Sequence, residues 1–127
     1  MNTHDDQLTI QQVATATGLS VYTLRYYERI GLIHPIGRGD NGHRRYSVHD
    51  LGWLAFLTKL RATGMSIQQM LAYAELQRQG DASLPQRLEL LKAHRCEVEA
   101  HIRALTEDLQ LICHKIEVYG ASLQETT

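Results

Sequence analysis

The sequence predicts a mainly α-helical protein: a domain of short helices, then one long helix that needs a partner. Two observations predict this. Hydroxyl residues stand three positions ahead of a side chain that can reach back at Thr9/Gln12, Ser47/Asp50, Ser66/Gln69 and Ser83/Gln86. Each pair opens an apolar-periodic run, the arrangement of a helix capping box or a near variant. From Leu84 onward, apolar residues recur in alternating steps of four and three, the 3.5-residue period of a coiled coil.

The first helix is predicted over 10–16 and ends at Gly18; Ser20 then caps a second helix over 21–30. On that second helix Val21, Leu24 and Tyr27 or Glu28 share one face, while Tyr22, Thr23, Arg25, Tyr26 and Arg29 point elsewhere. A helix, a tight turn and a helix presenting Arg, Tyr and Thr outward make the pattern of a helix-turn-helix. Arginine can fork onto guanine or phosphate, and tyrosine and threonine hydroxyls bond phosphate oxygens. The alternative for the same residues is plain packing, which Tyr27 is expected to provide.

The stretch 31–46 is non-helical. Its glycines and the turn signal Asp40-Asn41-Gly42 predict a two-stranded hairpin, or wing, whose return strand carries His43, Arg44, Arg45 and Tyr46. His43 is either a phosphate contact or a turn residue. Helices over 48–62 and 67–78 flank a turn at Thr63-Gly64-Met65, and Gln79-Gly80-Asp81 ends the compact part. The predicted organisation is therefore a disordered 1–7, a winged helix-turn-helix domain over 8–80, a coiled-coil helix over 81–120 and a disordered tail over 121–127.

The stripe on the long helix comprises Leu84, Leu88, Leu91, Val98, Ile102, Leu105, Leu109, Ile112, Ile116 and Tyr119, with Arg95 filling one gap. No other helix in the chain is long enough to receive it, so the expected partner is a second copy related by a two-fold axis. Arg95 at the seam either specifies register or snorkels outward.

Composition narrows the function. The formal charge of −1 is unevenly spread: residues 25–63 hold seven basic side chains and three acidic ones, an asymmetry expected of a face that meets phosphate. No run of 18 apolar residues exists, and the N-terminus lacks an apolar leader-like segment, so a soluble cytoplasmic protein with no membrane partner is expected. No nucleophile–base–acid set, phosphate loop or metal quartet is visible; an enzyme, a cofactor and a metal site are not expected. His94, His101 and Glu97 share one side of the long helix, but a solvated face explains them.

Taken together, LTIQQVATATGLSVYTLRYYERIGLI, the segment NGHRRY, SVHDLGWLAFLTKLRATGMSIQQM and the terminal coiled coil resemble the MerR family of transcriptional regulators from Leu8 to about Tyr119. The resemblance implies a homodimer with an antiparallel helix pair, each subunit placing a winged helix-turn-helix on half of a palindromic DNA site. It implies Ser20, Tyr22, Thr23, Arg25 and Tyr26 as recognition-helix contacts, Arg44, Arg45 and Tyr46 as wing contacts, and Lys59 and Arg61 as backbone contacts. It also implies control of RNA polymerase by distorting DNA between the two promoter elements. The stretch from Trp53 to Gly80 is similar to the aldehyde- and electrophile-responsive branch, but Lys59 stands where that branch commonly has a cysteine. The effector is accordingly an unknown small molecule or electrophile, and only about eight residues follow Tyr119, too few for an appended ligand domain.

Cys96 and Cys113, seventeen residues apart, lie about 25 Å apart on one helix and cannot pair within it. In an antiparallel dimer whose axis passes near residue 104 or 105 they approach each other across subunits. Ordinary reduced thiols, a redox or electrophile switch and a metal role are the three readings. Two other classes of function fit parts of the chain: a protein-binding module of the chaperone-modulator type, and an excisionase-like architectural DNA binder.

Overall fold

The computed structural model describes residues 7–34 and 46–125. It contains α1 (Ile10–Thr17), α2 (Val21–Arg29), α3 (Val48–Ala62), α4 (Ile67–Arg78), a 3-10 turn (Gly80–Ser83) and α5 (Leu84–Glu125). The bounds of α1 to α4 agree with the sequence prediction to within one residue. The chain forms two compact units, 1–87 and 88–127; the predicted hairpin and its Arg44 and Arg45 fall outside the described residues, as does most of the predicted N-terminal tail.

Local chemistry sets the ends of the short helices. Thr9, Ser47 and Ser66 each accept from the backbone three residues on, while Gln12, Asp50 and Gln69 reach back, so three of the four expected capping boxes form. The fourth does not. Ser83 is buried; its hydroxyl turns back on the carbonyls of Leu76 and Gly80 and accepts from Arg87 Nε at 3.0 Å. There it ties down the 3-10 turn rather than capping α5.

Two helices stop in the same way. Beyond α2, Gly31 (φ +86°) donates to the Glu28 carbonyl and Leu32 to that of Tyr27. Beyond α3, Gly64 (φ +98°) donates to Arg61 and Met65 to Leu60. Both are Schellman motifs, which need a left-handed residue at the first position past the cap and favour an apolar contact between the residue after it and the last turn. Leu32 with Tyr27, and Met65 with Leu60, are all buried.

The core of the first unit joins Val13 of α1, Leu24 and Tyr27 of α2, Leu54 and Leu57 of α3 and Met70 of α4, all buried. Helix α1 packs on α2 and α3, and α3 packs on α4. At about 1.5–3 kcal/mol for each fully buried large side chain, these contacts dominate the unit's stability. Leu8 and Tyr46 exchange backbone hydrogen bonds of 2.7 and 2.8 Å as an antiparallel bridge. That pairing draws Tyr46 fully into the core, with no exposed surface. The expected phosphate contact from Tyr46 is therefore corrected: a ring with no solvent-facing area packs and does not touch DNA.

The second unit consists of α5, which runs 42 residues in all, about 63 Å at 1.5 Å per residue. None of its residues is buried. Leu88, Ile102, Leu105, Leu109, Ile112 and Ile116 are each more than half exposed, whereas Leu91 and Val98 are intermediate. The helix passes Gly120 and continues to Glu125, correcting the expected disordered tail over residues 121–125. One helical glycine costs only about 1 kcal/mol against alanine, and Ser122 returns its hydroxyl to the Val118 carbonyl at 3.0 Å. Leu123, four residues past Tyr119 and 70% exposed, prolongs the stripe by one step. Arg95 lies 3.7 Å from Glu99 along the helix.

Candidate nucleic-acid interface

Helix α2 is anchored on one side and open on the other. Leu24 and Tyr27 are buried, and Tyr22, Arg25, Tyr26 and Arg29 fall on the opposite side at spacings of three, four and seven, which is one continuous stripe on a helix. Tyr22 is 74% exposed. Arg25 is exposed and, among the described residues, enters no hydrogen bond or ion pair. A guanidinium left to water carries five donors in a planar fork suited to a base edge or phosphate.

Tyr26 is half-buried, its ring tilted against Tyr27 at 6.2 Å, and the Arg29 guanidinium lies 5.6 Å above it. This cation–π contact holds Arg29 in the same stripe as Arg25. Arg29, which the predicted contact set does not include, shares this face of α2. Its signal was present, since it lies four residues after Arg25.

The entry to α2 is set by local hydrogen bonds. Gly18 adopts φ +77° and donates to the Ala14 carbonyl, ending α1. Ser20 accepts from the Thr23 amide at 3.0 Å and donates to the Thr23 hydroxyl at 2.9 Å. That arrangement leaves the Thr23 proton directed away from Ser20 and available to an outside acceptor. Ser20 itself acts first as the helix cap. The N-terminus of α2, with its positive dipole end, is a favourable place for phosphate.

Lys59 and Arg61 lie in the last turn of α3 and are exposed. Arg61 donates to the Met65 carbonyl at 3.2 Å, so it braces the Schellman turn. Lys59 makes no such bond and keeps its ammonium in solvent. Behind the interface, Asp50 closes the capping box of α3 by accepting from the Ser47 amide, and receives His34 Nε2 at 2.5 Å. Burial pushes the Asp50 carboxyl up, yet the Ser47 amide, the His34 ring and the Ser47 hydroxyl outweigh it and hold the group below its ordinary 3.8.

Cys96 and Cys113 are both exposed, free thiols. Among the described residues no group of three His, Cys, Asp or Glu side chains could hold a metal ion, so His94, Glu97 and His101 make no such set. No described helix is long and apolar enough to cross a membrane.

Known proteins share this arrangement. Residues 9–46 match the family profile described as MerR family regulatory protein, and residues 51–111 match the one described as MerR, DNA binding. An uncharacterised HTH-type transcriptional regulator of Haemophilus influenzae is 36% identical over 111 residues, covering 87% of this chain and 82% of that protein. The chain belongs to the MerR family. A MerR family structure from Listeria monocytogenes superposes with a TM-score of 0.82 at 40% identity, covering 88% of this chain and 85% of that one. HiNmlR, a MerR family regulator lacking the sensor domain and solved bound to promoter DNA, gives a TM-score of 0.76 at 36% identity, covering 82% and 79%. The chain is thus a helix-turn-helix transcriptional regulator of the DNA-binding MerR type.

Proposed function

We propose that this regulator acts in the cytoplasm as a homodimer that grips a palindromic promoter site and controls transcription by deforming the DNA between the two polymerase recognition elements. The observation that carries the reading is α2, whose Tyr22, Arg25, Tyr26 and Arg29 form an open stripe opposite the buried Leu24 and Tyr27. In this proposal Arg25 and Tyr22 meet the major groove, Thr23 and Ser20 fix the helix N-terminus on phosphate, and Arg29 steadies Tyr26. Arg44 and Arg45 contact the flanking backbone from the wing, and Lys59 adds a sequence-independent contact. The promoter-bound state of HiNmlR supports the same use of the fold here.

Dimerisation is proposed through α5. A stripe of more than half-exposed Leu and Ile side chains is unstable in water unless another surface covers it. Its 3.5-residue alternation fits a second helix of the same kind. Bending or untwisting a promoter of this size costs on the order of 1–6 kcal/mol, an amount that a rearranged dimer can supply or withhold when an effector binds. The proposed effector is a small molecule or electrophile, with Cys96 and Cys113 as exposed thiols within reach of the latter.

The test is a nuclease footprint of the purified protein on DNA upstream of its own and adjacent genes, with and without a thiol-reactive aldehyde. Protection of one palindrome between two polymerase elements is expected. An aldehyde-dependent change in cleavage would assign the effector role to the thiols, whereas the absence of any protected site would overturn the regulatory reading.

A further inference from the structure

The first unit contains a cavity of about 570 Å³ between the N-terminal half of α3, the C-terminal half of α4 and the segment Leu32 to His34. Its floor is Leu32 and Ala74, both buried, and its wall is aromatic. The rings of Trp53 and Tyr73 stack at 5.9 Å and 17°, and Phe56 leans on Tyr73 at 5.6 Å. Trp53 and Phe56 remain only partly buried, so the stack is open on the cavity side. The volume lies within the roughly 300–1,000 Å³ of small-molecule sites, which combine apolar walls with few polar groups.

The charges at the mouth are already matched. Asp50 is held by His34 and by the Ser47 amide. Arg78 donates to the Gly31 carbonyl and to Glu75, and Gln77 accepts from Arg87. Among the described residues the His49 ring and the Tyr73 hydroxyl, of the polar lining groups, make no hydrogen bond. A charged occupant would have to compete with these existing pairs, whereas a neutral ring could extend the stack and meet His49 or the Tyr73 hydroxyl with one hydroxyl or carbonyl.

From this we infer that the cavity is the effector site, and that it takes a neutral, flat, mainly apolar molecule of two or three rings. The inference rests on the regulatory reading above and supplies the ligand class it leaves open. The site also has a route to the DNA-binding surface. The Trp53 indole donates to the Leu32 carbonyl at 3.1 Å, and His34 joins Asp50, the third residue of α3 and half of its capping box. An occupant therefore touches the segment that leads into the predicted wing and the start of α3 together.

The test uses the full chain and N-phenyl-1-naphthylamine, a neutral dye of the proposed class that brightens on leaving water. Trp53 is the only tryptophan, so energy transfer from it to the dye reports occupancy of this cavity. Gly52 lines the cavity in the first half of α3, and a Cβ there meets nothing within 4 Å; Gly52→Leu adds an apolar side chain at the cavity lining from a position where its Cβ is clear. Saturable binding with quenched Trp53 emission is expected, weakened at least tenfold in Gly52→Leu and in Phe56→Leu. Equal binding by the unaltered protein and Gly52→Leu, or no saturable binding, overturns the assignment. Dye binding that turns a dimer into a monomer in sedimentation also overturns it, because a second copy would then be the natural occupant. Retained footprints in any of these cases leave the regulatory reading standing, and their loss in dye-free protein would refute that reading instead.

Discussion

Arg25 separates a recognition helix from a merely packed one. Its side chain contributes nothing to the core, being exposed and unbonded among the described residues, so Arg25→Ala should fold with an unchanged melting temperature. A good bidentate base contact is worth about 1–3 kcal/mol, so specific binding should fall by roughly five- to 150-fold while binding to unrelated DNA changes little. Fluorescence anisotropy on the footprinted site and on a scrambled duplex measures both. Equal losses on the two duplexes would make Arg25 a phosphate contact. Lys59→Ala should instead weaken both about equally and lower the salt slope by about one. Asp50 makes a prediction about stability. Its folded pKa lies below its ordinary 3.8, so the folded state binds its proton less readily than the unfolded chain. Its contribution is present above about 3.8 and is lost as pH falls through the folded value. Asp50→Asn should flatten the acid limb of a thermal-melting series below about pH 4, and an unchanged limb would assign the acid sensitivity elsewhere.

At the scale of elements, the short helices were legible because their ends carry local chemistry. A hydroxyl three residues before a Gln or Asp, and a glycine after the last apolar position, are backbone needs written in consecutive residues. Gly64 tests that view directly. At φ +98° with open space around it, an added methyl meets no neighbour, and the cost is purely that of the left-handed backbone. Gly64→Ala should lose about 1–2 kcal/mol of stability without altering DNA specificity, as measured by urea unfolding. A neutral result would show that the turn relaxes to another cap. Where the cue was not local, the sequence misled. Ser83 has the spacing of a cap, yet burial against Leu76 and Gly80 redirected its hydroxyl. Tyr46 follows two arginines in a predicted wing, yet pairing with Leu8, 38 positions away, placed it in the core. The Leu8–Tyr46 pairing leaves no mark in the neighbouring residues, and the turn at Ser83 competes with the cap spacing over the same few positions.

The long helix was legible at the scale of the whole molecule for a different reason: it lacks something. A stripe of Leu and Ile left exposed among the described residues, repeating with the period that a second helix would match, is what the proposed dimer rests on. The end placed at residue 120 follows the last residue of the predicted stripe, Tyr119, whereas the helix runs through Gly120 to Glu125 because one glycine has only a modest cost. Ile102 and Leu105 lie nearest the expected two-fold axis and are 56% and 54% exposed in the single chain. Ile102→Glu with Leu105→Glu would set four carboxylates against each other at the centre of an antiparallel pair. Since neither residue supports the first unit's core, circular dichroism should still report folded short helices. Sedimentation should report monomers, and the footprint should vanish, because one half-site contact loses the effective concentration that a linked second provides. An intact dimer would show that α5 pairs through another face, with Leu111 and Val118, 64% and 42% exposed, the first to substitute next.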